Sequence, residues 1–304
     1  MKAFHNNQTL VGCASAFICE ILFGLSYLFT KQAIASASGA ALLSWRFLVA
    51  LAVMSLFLLV GIIKIDIRGK RLRPLFLIAL FQPVIYFVAE TAGISATTAS
   101  ESGSFLACIP IVTLVASSLF LKKKPQPMQA VGICVTLSGV LCCVLAKGMD
   151  ASFSPFGYLM LCLAVVSYSL YCVFVEKSVD FSDIEKTYVM VAAGAIVFTA
   201  IAIAQNISAG TLVEYIKLPL TNRDFLQAIL YQGLGCSVVA FFLSNVAIAN
   251  IGTNRTASFV GISTAVSILA GVFILNESFS PVQAAGTILI IGGVYLANAA
   301  LKGR

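Results

Sequence analysis

Charged residues make up only 10% of this 304-residue chain, against 60% hydrophobic ones. A soluble domain carries roughly 25% charged residues, so there is too little polar surface here to cover a globule in water. Histidine is nearly absent: the one copy, His5, sits in a polar N-terminal stretch. That excludes a His/Cys metal centre or His-based catalysis in the apolar body. Long polar stretches are missing too, since most connections between apolar runs are under ten residues. They leave no room for an inserted soluble domain. Cysteine is plentiful, but Cys13, Cys19, Cys108, Cys134, Cys142, Cys143, Cys162, Cys172 and Cys236 all fall inside apolar stretches. There they act as small, soft hydrophobes rather than as a disulfide framework. The net charge of +7 does not point to nucleic acid, because the basic residues cluster in short loops between apolar runs.

What is present is hydrophobic length. Crossing a hydrocarbon core of about 30 Å takes roughly 20 apolar residues. Ten runs qualify: 10–31, 40–63, 74–93, 98–121, 126–146, 156–176, 186–205, 225–246, 255–275 and 281–301. The first is longer than the roughly 7–15-residue apolar core of a secretory signal and contains Glu20, so it reads as a span. The longest connection, 206–224, has room for a short surface helix. If the N-terminus is cytoplasmic, thirteen Lys and Arg fall on the inner side and four on the outer, leaving aside Arg46 and Arg255 within or at the start of spans. The positive-inside rule then places both termini in the cytoplasm.

The two halves of the chain resemble each other. At a constant offset of 154 residues, Ser104, Phe105, Leu121, Pro127, Gln129, Gly132 and Gly139 match Ser258, Phe259, Leu275, Pro281, Gln283, Gly286 and Gly293. Shared apolar composition does not by itself align Pro, Gln and two Gly in register. Five spans per repeat is an odd number, so the second copy enters the membrane inverted, an arrangement found in many secondary transporters. The expected architecture is all-α and polytopic, with ten transmembrane helices in two inverted five-helix repeats, 10–146 and 156–301.

FGLSYLFTKQAI in span 1, SWRF in span 2, TTASESGSFLACIPI leading into span 4, and the PxQxxG hairpin that closes each half resemble the drug/metabolite transporter superfamily with EamA-type repeats. The likeness covers nearly the whole chain. It implies a central cavity, alternating access, and export or uptake of amino acids, related metabolites or drugs. One departure stands out. Members of that family commonly carry Glu just after the span that opens each closing hairpin; Glu277 fits, but the first half has Lys123.

An ionisable side chain at membrane depth is expensive and usually faces protein or a water-filled cavity. Glu20 is such a residue near the middle of span 1, and Gly24, Tyr27 and Lys31 share its face at helical spacing. Gln82, Tyr86 and Glu90 form a second stripe on span 3, beside the helix-breaking Pro83. The cavity candidates are these together with Ser104, Cys108, Tyr168, Tyr171, Phe259 and Ser263, with Pro110 breaking span 4. Arg46 and Glu90 lie at similar depth and suit a buried ion pair. Glu101 aligns with Arg255 at the offset of 154, which suggests gates of opposite sign: Lys31 with Glu101 on one face, Glu176 with Arg255 on the other. Trp45 suits an interfacial anchor or a cavity wall.

A secondary transporter for small metabolites, exporting first, is the leading expectation. An uptake carrier for an organic cation or nucleotide-sugar-like solute, and a receptor or scaffold without transport, remain as alternatives. No cofactor is expected. The partners are a small-molecule substrate and the bilayer, with protons a candidate coupling ion and a monomer or homodimer the assembly. The orientation is directly testable. In a cysteine-free background, single cysteines at Asp150 and Gly210 should react with an impermeant reagent added to intact cells, whereas one at Arg68 should not; external labelling at Arg68 would reverse the assignment.

Overall fold

A computed structural model describes residues 2–34, 37–97, 102, 105–124, 126–146, 154–275 and 280–299. The regular structure among them is helical, with no strand. In hydrocarbon a backbone N–H or C=O finds no water, and a helix satisfies these groups within its own segment. The spans are α1 (Lys2–Ile34), α2 (Gly39–Leu59), α3 (Arg73–Ala96), α4 (Ile109–Leu121), α5 (Pro127–Leu145), α6 (Pro155–Lys177), α7 (Asp183–Ala209), α8 (Arg223–Ile251), α9 (Thr253–Ile274) and α10 (Pro281–Ala299). Nine of them are long and apolar enough to cross a membrane, and α4 is a shorter apolar helix.

Local chemistry sets several starts. Ser38 accepts from the Ala41 N–H and Ser154 from that of Gly157. Asn222 accepts from the Phe225 N–H. Ser182 and Glu185 form a reciprocal capping box, which the S-x-x-E spacing encodes. Pro110 occupies the first turn of α4 and so does not break the middle of that span as expected. Proline lacks the N–H that a first turn leaves unpaired anyway, so a helix starts there comfortably. The 206–224 connection does carry a short helix, Leu212–Thr221. Its buried Tyr215 bonds Ser44 Oγ at 2.7 Å, and Trp45 Nε1 donates to the Tyr215 carbonyl at 3.2 Å. Trp45 thus anchors this surface helix.

The helix pairings are symmetric. α1 packs on α8 and α9, while α6 packs on α3 and α4; α2 faces α7, and α5 faces α10. Exchanging each span of the first half with its counterpart in the second leaves this set of contacts unchanged. That is the signature of two inverted repeats. Both third spans also open mid-way into a wide π-helical turn, Leu80–Ile85 in α3 and Tyr231–Ala240 in α8.

The repeat-matched glycines meet across the pseudo-axis. A Cβ on Gly132 would fall 2.7 Å from the Gly293 carbonyl oxygen, and one on Gly139 would fall 2.6 Å from that of Gly286. Without a hydrophobic drive between helices in lipid, such close backbone approach is what holds α5 to α10. Gly292, one residue from Gly293, has nothing within 4 Å. Gly139→Leu should therefore destabilise the purified protein by about 1–3 kcal/mol, read as a lower melting temperature. Gly292→Ala should leave melting unchanged. Equal melting of the two variants would remove the glycine contact from this account.

Candidate functional site

Two adjoining cavities lie among α1, α2, α3, α4, α5, α6 and α9. The first, about 380 Å³, is polar on one side: Glu20, Ser26 and Thr30 come from α1, Arg46 from α2, and Gln82, Tyr86 and Glu90 from α3. The second, about 450 Å³, shares Tyr86, Glu90 and Ser263 with the first and continues along Leu106, Val140, Val144 and Ile268. Its wall is mainly apolar. Each volume is in the range of small-molecule sites, about 300–1,000 Å³.

The break in α3 creates the polar lobe. Pro83 disfavours helical backbone at the residue before it, and Gln82 leaves the helix at φ −140°, ψ 119°. The Ser167 hydroxyl of α6 donates to the Phe81 carbonyl at the break, at 2.8 Å. Gln82, 4% exposed, is thereby set in the cavity wall with its Oε1 unpartnered. One and two turns on, Tyr86 donates its hydroxyl to Glu90 at 2.7 Å. Glu20 faces Ser263 of α9 across the lobe. Gly24 permits that approach, because a Cβ there would come within 2.7 Å of the Ser263 carbonyl oxygen.

Arg46 is 6% exposed and lines the same cavity. Its Nε donates to Ser237 Oγ at 2.7 Å. The guanidinium carbon lies 5.0, 5.4 and 5.9 Å from the ring centres of Phe87, Phe47 and Phe241. Among the described residues it has no carboxylate partner. The Arg46–Glu90 ion pair expected from depth is therefore not formed: Glu90 takes Tyr86, and Arg46 takes Ser237 and three rings.

Both cavities are lined mainly from the C-terminal halves of α1, α3 and α5 and from the N-terminal half of α2. Toward the other end of these spans the described side chains form a polar network. Tyr171 donates to Asn245 Oδ1 at 2.9 Å, and Asn245 donates to Thr187 at 3.0 Å. Below them, Thr253 donates its hydroxyl to the Cys172 carbonyl and its N–H to Glu176. Glu176 also pairs with Lys123. This corrects the expected Glu176–Arg255 pair. Lys122, in the left-handed region at φ 55°, ends α4, and the chain beyond it delivers Lys123 to Glu176, while Arg255 lies beside Cys13 of α1.

Of the sequence candidates, Glu20, Gly24, Arg46, Gln82, Tyr86, Glu90, Tyr168 and Ser263 line the polar lobe. Tyr171 does not; it is buried and donates to Asn245 instead. Phe259 packs with Ala16, Ile251 and Ile262 instead, and Cys108 sits at the start of α4 outside the lining. Ser104 and Glu101 lie outside the described residues, as do the side chains of Tyr27 and Lys31. Ser26, Thr30, Thr264 and Ser267 line the lobe unannounced. Part of the signal was present: Ser26 and Thr30 are four apart on α1, and Thr264 and Ser267 are three apart beside Ser263. No group of three or more potential metal ligands occurs among the described residues.

Comparison with known proteins gives this arrangement its place. The chain is 34% identical over 290 residues to the uncharacterized transporter YcxC of Bacillus subtilis, covering 95% of this chain and 93% of that one. It is 22% identical to a WAT1-related protein of Arabidopsis thaliana, over 84% of this chain and 75% of the other. A solved crystal structure with 17% sequence identity superposes with a TM-score of 0.76, covering 98% of this chain and 99% of that one, and so shares the fold. The model of the EamA-like transporter family matches residues 10–145 and again 155–299. With both repeats matched across nearly its full length, the chain belongs to the EamA-like transporter family.

Proposed function

We propose that this chain is a secondary transporter that moves a small metabolite, an amino acid, related amine or drug-like compound, across the cytoplasmic membrane by alternating access, in the export direction. One observation carries the reading: a cavity holding buried acids lies where the two inverted repeats meet, lined by parts of the spans away from the Lys123–Glu176 pair. Inverted repeats offer a second arrangement in which the two ends exchange roles. With the termini placed in the cytoplasm by the positive-inside bias, the cavity faces outward and the Lys123–Glu176 closure lies at the inner face.

Glu20 is the residue on which the cycle turns in this reading. It is 5% exposed, lines the cavity, and has no basic partner among the described residues. A carboxylate at that depth requires compensation, and two sources are at hand: a proton, or a cationic group on the solute. Competition between them at one carboxyl would couple solute movement to proton movement in the opposite direction.

The test is counterflow of radiolabelled amino acids and amines in proteoliposomes. Glu20→Gln keeps the shape and removes the charge. It should express and melt like wild type while transport falls about tenfold to a hundredfold, the worth of a charge-assisted hydrogen bond. The residual rate should no longer vary with pH. Wild-type rates and pH dependence in the variant would make Glu20 a packing residue and remove it from the cycle.

A further inference from the structure

The connection between α2 and α3, residues 60–72, is held in place along one edge. Ile63 is buried against Ala50, Met54 and Val191. The Asp66 N–H donates to Glu185 Oε1 at 2.9 Å, and Lys70 Nζ reaches the two oxygens of the same carboxylate at 3.1 and 3.2 Å. Lys70 also lies over the Phe181 ring, 5.1 Å from its centre. Glu185 is itself fixed by the capping box at the start of α7. Three points of one edge are thus clamped, and the other edge is displayed in a set arrangement.

That other edge is basic and apolar at once. Lys64, Arg68, Arg71 and Arg73 are exposed, and none has a carboxylate partner among the described residues. The one acid of the loop, Asp66, accepts the Arg68 N–H at 3.3 Å. Gly69, at φ 72°, turns the chain between two cations: Lys70 goes to Glu185, and Arg68 stays exposed. Ile62, Ile67 and Leu72 are exposed among these cations. The apolar exposure runs on into both flanking spans, at Leu59 of α2 and Phe76 of α3, where the bundle meets lipid.

The two kinds of exposure select one partner. A soluble anion would answer the cations and leave three apolar side chains in water. A zwitterionic bilayer would answer the apolar side chains alone, because each of its phosphates already has an ammonium beside it. We propose that the α2–α3 loop is a platform for anionic phospholipid headgroups: Lys64, Arg68, Arg71 and Arg73 pair with the phosphates while Ile62, Ile67 and Leu72 enter the interfacial layer. Three of the four cations are arginines, whose planar fork matches a phosphate bidentately. Four basic residues beside a span are also enough to gather anionic lipid. The platform goes beyond the orientation bias, which counts charge alone, since it needs Glu185 to hold the loop in place. It does not depend on what the bundle transports.

The test is quenching of tryptophan fluorescence in vesicles of phosphatidylcholine mixed with phosphatidylglycerol, one of the two brominated high in its acyl chains. Ile67→Trp adds a reporter to the platform, and the parent full-length protein, with Trp45 as its one tryptophan, supplies the background. At equal mole fraction, brominated phosphatidylglycerol should quench the added signal about threefold or more above brominated phosphatidylcholine. High salt should reduce that preference by screening. Adding Arg68→Gln, Arg71→Gln and Arg73→Gln together should abolish it; should that protein fold poorly, Arg71→Gln alone should lower it part of the way. Glu185→Gln separates a platform from a loose cluster of charge. It makes the loop more positive and unclamps it, so charge acting alone would strengthen the preference, whereas a platform loses it. Equal quenching by the two lipids, a preference that survives the arginine replacements, or a stronger preference in Glu185→Gln would each overturn the proposal. So would displacement of phosphatidylglycerol by soluble glycerol phosphate at constant ionic strength, which would make the loop a site for free anions.

Discussion

Every backbone amide in this bundle must find its partner inside the protein, and the structure is arranged around the two places where a helix cannot supply it. α3 opens at Gln82–Pro83 and α8 widens over Tyr231–Ala240. In each case the first span of the opposite repeat provides a side chain. Ser167 of α6 donates to Phe81 of α3, and Cys19 of α1 donates to the Ala240 carbonyl at the end of the widened turn. The exchange also runs from α8 to α1, since Tyr231 donates to the Leu22 carbonyl at 2.9 Å. Irregular backbone at membrane depth is tolerated only where protein or a cavity covers it. Here covering the breaks and holding the halves together are one task. Gln82 is the by-product: the same break that must be covered presents its amide to the cavity.

Charge is handled by a different device on each side of the membrane midplane. On the side of the polar network, Lys123 and Glu176 meet at a partly exposed position, where an ion pair contributes only about 0–1 kcal/mol. On the open side, Arg46 touches no acid directly; three rings and one hydroxyl hold it, with Glu90 acting at longer range. The contacts among Phe47, Phe87, Phe198 and Phe241, with centres 5.5–6.2 Å apart, are thus both core packing and the walls that fix a guanidinium in place.

The fold was legible because its signals are long and redundant. Ten apolar runs, a register of Pro, Gln and Gly at a constant offset, and caps such as Ser182–Glu185 all point the same way. Even the pairing of α5 with α10 was implicit in four glycines, although not the crosswise manner of their meeting. The site was legible only in part. Single acids at depth, Glu20 and Glu90, declare themselves through their cost. Their partners do not, because partner choice depends on helix rotation and on sub-turn shifts that periodicity leaves free. Hence Glu90 turned to Tyr86 rather than Arg46, and Glu176 to Lys123 rather than Arg255. The internal match L-F-Q-P with L-Y-Q-G, residues 80–83 and 230–233, was available as a marker of both openings. Its two glutamines differ in fate: Gln232 donates to Thr30 at 2.8 Å, whereas Gln82 Oε1 stays unpaired.

The second lobe has a consequence for discrimination. Its walls at Leu106, Val140, Val144 and Ile268 recognise shape alone, and one methylene in such a pocket is worth only about 1–3 kcal/mol. Directed polar groups, by contrast, reject a mismatched head sharply, since the mismatch leaves a buried charge unanswered. On the proposed reading, a carrier divided in this way is strict about one end of its cargo and lenient about the other. Compounds with the right head and quite different tails would compete for one route, and a cell would gain breadth of clearance without a separate protein for each of them.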